Sequence, residues 1–276
     1  MKHLIEWRLF ESRKYIESIC ENFGIKNWNL NEDGSIDVDG YVDLRYKKLI
    51  KLPLKFRNVS GDFDCSVSNL ISLEGSPESV GGDFICSNND LTSLEGGPKS
   101  VGGYFDCSLN NLISLKGCPE TVNSGFNCSY NKLTSLEGSP KSVGGHFNCS
   151  YNNITSLEGC TKSVGGNFNC SYNNLTSLEG CPKSVSGHFF CFNNNLTSLE
   201  GAPESIRDQF YCKFNPVEQI WNLFEDKDKI EFFNDLDIIR GNSIVLDRLI
   251  YFLDVIRKPR TEEELRELIN DYTFIF

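Results

Sequence analysis

Residues 143–163 read VGGHFNCSYNNITSLEGCTKS, and residues 164–184 follow at once as VGGNFNCSYNNLTSLEGCPKS. Outward from this pair, Phe63, Phe84, Phe105, Phe126, Phe147, Phe168, Phe189 and Phe210 recur every 21 residues without an insertion. Cys65, Cys86, Cys107, Cys128, Cys149, Cys170, Cys191 and Cys212 keep the same interval two residues later. Self-similarity at a fixed period of this length marks a stack of supersecondary units that bury a continuous core between neighbours. Seven whole units run from Gly61 to about Arg207. A weaker unit precedes them, because Val42, Leu44, Leu49, Leu52 and Val59 stand one period before Phe63, Cys65, Leu70, Leu73 and Val80. A partial unit closes the array at Phe210, Cys212, Asn215, Val217 and Ile220.

Within each unit, Phe and Cys are two apart, so in a strand both side chains face one side and their neighbours face the other. Stacked coils then form a parallel sheet with strands ~4.8 Å apart, and nine units span on the order of 40 Å. Asn89, Asn110, Asn131, Asn152, Asn173, Asn194 and Asn215 line up where the chain leaves the strand. Backbone groups lose their ladder partners in such a turn, and an inward amide can satisfy them. These Asn residues are therefore read as structural, as are the Gly-Gly before each strand and the Gly-x-Pro after each Leu pair.

The unit G-x-x-F-x-C-x-x-N-x-L resembles the leucine-rich repeat signature L-x-x-L-x-L-x-x-N-x-L, over about two thirds of the chain. Gly or Ser stands at the first Leu position and Cys at the third, which implies a thinner core with Phe supplying the lost volume. The resemblance implies a repeat solenoid with a curved parallel β-sheet. The unit is short for the family, so its outer side is expected to be turn-like or extended. Near-identical, insertion-free repeats with Asn- and Ser-rich strands are similar to leucine-rich repeat proteins predicted from phages, large DNA viruses and some bacteria. That likeness implies a phage or viral protein that engages a host factor in the host cytoplasm.

An open stack needs caps. Residues 1–40 are read as a helix and hairpin cap, 41–215 as the solenoid and 216–276 as a helical cap or small helical domain. Tyr15, Ile16, Ile19, Cys20 and Phe23 make one face of a helix ending at Gly24, and Trp28, Leu30, Ile36 and Val38 alternate around Asn31–Gly34 as in a hairpin. Helices are expected near Val217–Phe224, Asp228–Ile239, Ser243–Lys258 and Glu262–Asp271, the last opened by a Thr261-x-x-Glu264 capping box.

Composition narrows the partners. The chain has 27 Lys+Arg against 38 Asp+Glu, a formal charge of −11, which disfavours nucleic acid and anionic membranes. No apolar run approaches the ~20 residues of a membrane span, and the charged start, MKHLIEWRLFESRK, lacks the apolar core of a signal peptide. A cytoplasmic location is expected. The register cysteines behave as small buried hydrophobes, and with no CxxC or paired His no metal site is expected. No cofactor is expected either. Catalysis leaves little trace: among His3, His146 and His188 the last two are two coils apart, roughly 10 Å, and the serines lack a nucleophile-elbow motif. Some leucine-rich repeat effectors carry a cysteine-dependent ubiquitin ligase domain, but no cysteine follows Cys212. The Glu column of Glu74, Glu95, Glu137, Glu158, Glu179 and Glu200, interrupted by Lys116, must be exposed because like charges ~5 Å apart repel by roughly 1 kcal/mol in water. Lys99, Lys141, Lys162 and Lys183 stand four residues after a Glu and are expected to offset it.

Function is sought in the outward columns that vary between units. They hold Asp62, Asp64, Asp83, Tyr104 and Asp106 toward the N-terminal end, and His146, Tyr130, Tyr151 and Tyr172 in the middle. His188, Phe190, Phe192 and Tyr211 lie toward the C-terminal end. Exposed aromatics are enriched at binding hot spots, and the acidic end suits a basic partner. The expected function is non-enzymatic binding of a partner protein through this face. The alternatives are a small-ligand or enzymatic site between the array and the helical tail, and self-association through the charged edges of the stack.

Overall fold

The computed structural model describes residues 2–241 and 243–276, with side chains from Arg13 onward. His3 lies outside the described side chains. The chain is a repeat solenoid of 21-residue coils with helices at both ends, and its strands build two parallel ladders and a small third sheet.

The Phe ladder is the sheet expected from the alternation. Nine two-residue strands among the described residues, from Val42–Asp43 to Phe210–Tyr211, pair in parallel, each Phe opposite the next. Phe63 through Phe189 are fully buried, with successive ring centroids 5.1 to 5.6 Å apart. The Phe column thus fills the volume that the slimmer Cys leaves, and the eight register thiols are all buried beside it. The Leu pair of each coil closes the third side of the core.

A second parallel ladder, more regular than the turn-like or extended backbone expected outside the Phe strand, runs through Ser79–Val80 to Ser205–Ile206. Its Val side chains enter the same core. The two ladders meet at the Gly-Gly corner, where coils approach so closely that a Cβ on Gly165 would sit 1.9 Å from the Gly144 carbonyl oxygen. Glycine avoids that clash at Gly165, while Asn123 and Ser186 hold the same position in other coils.

At the N-terminal end, helix α1 (Lys2–Phe23) buries Ile16 and Cys20 but leaves Tyr15 exposed, so its contact stripe is narrower than the sequence implied. The hairpin of Trp28–Leu30 with Ile36–Val38 forms as expected and continues into the Val ladder through Phe56–Val59. At the C-terminal end come α2 (Glu218–Phe224), α3 (Ile230–Asp235), α4 (Leu246–Val255) and α5 (Glu262–Leu268). The Phe column continues into this tail, with Phe210 against Trp221 at 5.0 Å and Trp221 against Phe224 at 5.1 Å. The expected helices are shortened by a three-stranded sheet of Ile239–Arg240, Ser243–Val245 and Thr273–Ile275. The β-branched run Ile238, Ile239, Ile244 and Val245, broken by Gly241 at φ 60°, favours a hairpin over a continuous helix. The Thr261/Glu264 capping box is present. Among the described residues no helix is long and apolar enough to cross a membrane.

Candidate partner-binding face

The Asn column is the scaffold on which the face is built. Asn131 Nδ2 donates to the carbonyls of Cys107, Cys128 and Ser129 at 3.0, 3.1 and 3.3 Å, while its Oδ1 accepts the Leu112 N–H at 2.9 Å. The other six Asn residues repeat this pattern, for example Asn89 with Cys65 and Leu70 and Asn215 with Cys191 and Leu196. Each amide stitches two coils together at the turn, as expected.

The column before Phe is also stitched. The Asp83 N–H donates to Asp62 Oδ1 at 2.8 Å, and the Tyr104 N–H to Asp83 Oδ1 at 2.6 Å. His146 Nδ1 accepts the Asn167 N–H at 2.8 Å, and His188 Nδ1 accepts the Gln209 N–H at 3.2 Å. Both imidazoles therefore use Nδ1 as an acceptor, with the ring proton on Nε2. Tyr104 is half-buried with its ring over Gly125, where a Cβ would lie 2.7 Å from it, and burial raises its phenol above the ordinary range.

Between Phe and Cys, the polar side chains close local turns. The N–H and hydroxyl of Ser66 donate to Asp64 Oδ1 at 3.0 and 2.6 Å, and those of Ser129 to Asn127 Oδ1 at 3.1 and 2.7 Å. Asp106 accepts the Ser108 N–H at 2.9 Å, and burial raises its carboxyl above the usual carboxylate range. Asp64 also faces Arg45 at 3.5 Å. The serine after each Cys turns inward: Ser66, Ser108, Ser129, Ser150 and Ser171 are buried. The acidic end is thus largely engaged in holding coils together.

The aromatic residues remain. Tyr130, Tyr151 and Tyr172 stack at 4.2 and 4.1 Å with rings 8° and 10° from parallel, at exposures of 48, 38 and 39 %. A hydrogen bond to Tyr172, with burial next, raises the Tyr151 phenol above its ordinary range. Phe192 meets Tyr172 edge-on at 5.5 Å and Phe190 at 6.2 Å, and Phe190 stacks on Tyr211 at 5.0 Å. His188 adjoins both Phe190 and Tyr211, at 5.6 and 5.7 Å. Seven of the thirteen residues singled out from the sequence therefore form one continuous band, none of them buried. Phe190, Phe192 and Tyr211 are only partly covered, and Phe214 is 70 % exposed.

Sequence reasoning missed the backbone at the tyrosines. Tyr130, Tyr151 and Tyr172 have φ of 54°, 54° and 56°, the left-handed region, and Val67, Asn88, Leu109, Asn193 and Phe214 share that position and conformation. Asn adopts it readily, whereas the left-handed region costs other L residues about 1–2 kcal/mol. Ring stacking, worth about 0.5–1.5 kcal/mol per pair, offsets part of this.

The Glu column is exposed as expected, but its cations differ. Lys116 pairs with Glu95 at 2.8 Å, while Lys99, Lys141 and Lys183 pair across coils with Glu78, Glu120 and Glu204. All twelve cysteines are free thiols, and burial raises those of the register column. Among the described residues no group of three or more His, Cys, Asp or Glu side chains is placed to hold a metal ion.

Comparison of the chain with protein-family models, curated proteins and solved structures finds no match.

Proposed function

We propose that the chain is a non-enzymatic protein-binding module whose contact surface is the aromatic band from Tyr130 to Tyr211. The observation that carries this reading is the unbroken chain of ring contacts along one face of a rigid stack. Stacked rings are already ordered, so binding them costs little side-chain entropy, and tyrosine offers apolar area with a polar tip. The strained backbone under three tyrosines supports the same reading, because Asn at that position would serve the fold at lower cost. The second carboxylate oxygens of Asp62 and Asp83, on coils N-terminal to the band, favour a partner with a basic surface.

The likeness of the unit to short leucine-rich repeats of phages, large DNA viruses and some bacteria supports a host protein as the partner, met in the cytoplasm. The domain division, with the solenoid over 41–215 between a cap at 1–40 and a helical unit at 216–276, belongs to the same proposal. The test captures proteins from a cell lysate on the immobilised full chain and on a Tyr130→Ala/Tyr172→Ala variant of matched thermal stability. A defined protein held by the first and lost by the second is expected. Equal capture by both rejects the band, and capture by neither rejects protein binding.

A further inference from the structure

The C-terminal end of the stack is capped selectively. The tail supplies a side chain to one edge group of the last coil after another. Tyr272 Oη donates to the Thr197 carbonyl at 2.7 Å and Asn234 Nδ2 to the Leu199 carbonyl at 2.9 Å. Lys227 Nζ donates to the Ile206 and Arg207 carbonyls at the end of the Val ladder. Glu218 accepts the Phe214 N–H at 2.6 Å.

The Phe ladder is the exception. In this ladder N–H groups donate forward, coil to coil: Phe168 to His188, Phe189 to Gln209 and Cys191 to Tyr211, each at 2.9 Å. The next two donors in that series, the N–H groups of Phe210 and Cys212, have no backbone acceptor among the described residues; Cys212 is fully covered, which leaves the Phe210 N–H as the open donor. An unpaired strand edge is a template for a further strand. This edge lines a cavity of about 390 Å³ between the last coil and the tail. Asp208, Glu225, Asp226 and Asp228 line it too, against Lys213 and Lys227, and Lys227 is engaged with the two carbonyls.

We propose that this edge is a strand-addition site for an extended basic peptide segment of a partner protein, which would pair with Phe210 as a further parallel strand. A peptide carbonyl would accept the Phe210 N–H, giving affinity independent of sequence, and the peptide's cations would face the four carboxylates. The site is separate from the tyrosine stack and does not rest on the aromatic-band reading.

The test uses the full chain and a fluorescein-labelled hexapeptide of alternating lysine and valine. Saturable binding by fluorescence anisotropy is expected, weakened at least tenfold by N-methylation of the peptide backbone and by Asp208→Asn/Glu225→Gln. The amide of Phe210 should gain protection from hydrogen exchange in the complex. The Tyr130→Ala/Tyr172→Ala variant should bind the peptide unchanged, which separates this site from the tyrosine stack. No binding, or equal binding of the N-methylated peptide without amide protection, overturns the proposal. Concentration-dependent self-association that protects the same amide also overturns it, by assigning the edge to a second copy.

Discussion

Replacing Asn131 by Ala tests the stitching of the solenoid at its centre. The loss removes four hydrogen bonds, three donated by Nδ2 and one accepted by Oδ1. The groups left behind fare differently. Cys107 and Cys128 keep a second amide donor, from Asn110 and Asn152 respectively, and the Ser129 carbonyl keeps the Leu109 N–H. The Leu112 N–H has no substitute, and Leu112 is fully buried. Hydrogen bonds of this kind contribute about 0.5–1.5 kcal/mol net, and an orphaned buried donor costs about 1–3 kcal/mol. Counting the three surviving carbonyls at the low end and the orphaned donor at the middle gives a destabilisation of about 3.5 kcal/mol. Urea unfolding followed by far-UV circular dichroism reads this directly, provided the slope of the transition is unchanged. A loss under about 1 kcal/mol would refute the reasoning, because it would mean that water or a relaxed backbone satisfies Leu112.

Asp106→Asn should stabilise the protein at pH 7, since Asn127 makes the same turn with no charge to desolvate. A carboxyl whose folded pKa is raised contributes stability below its unfolded pKa and loses it as pH rises through the folded value. The gain should therefore vanish in acid, where Asp106 is protonated, and denaturant midpoints at two pH values check it. Phe126→Ala should cost about 3–5 kcal/mol, because its ring is fully buried between Phe105 at 5.6 Å and Phe147 at 5.1 Å. Thermal unfolding measures that loss. The eight register thiols should resist a bulky disulfide reagent at neutral pH, since burial both raises and shields them; all twelve should react in denaturant.

The core was legible because its signal is periodic: Phe, Cys, Leu and Asn each hold one position, and one inward strand explains all four. The Val ladder was not, since a two-residue strand carries no period of its own and the Gly-Gly after it reads equally well as turn. The small sheet of the tail was hidden by helix formers on both sides of Ile238–Val245. Among the candidate site residues, alternation placed Asp62, Asp83, His146 and His188 outside the core. It could not reveal that each meets an N–H from the next coil, because that depends on the offset between coils. The left-handed backbone at Tyr130, Tyr151 and Tyr172 was masked for the opposite reason. Glycine or Asn would have announced it, and tyrosine does not.

The central claim is that each 21-residue unit is one coil locked to the next through its inward Asn. Residue-resolved amide hydrogen exchange of the native chain tests it most directly, at the Leu or Ile N–H groups that donate to Asn Oδ1. The amides of Leu91, Leu112, Leu133, Ile154 and Leu175 are predicted to exchange together, at rates set by global unfolding. Exchange of those five amides as fast as in an unfolded chain would contradict the account.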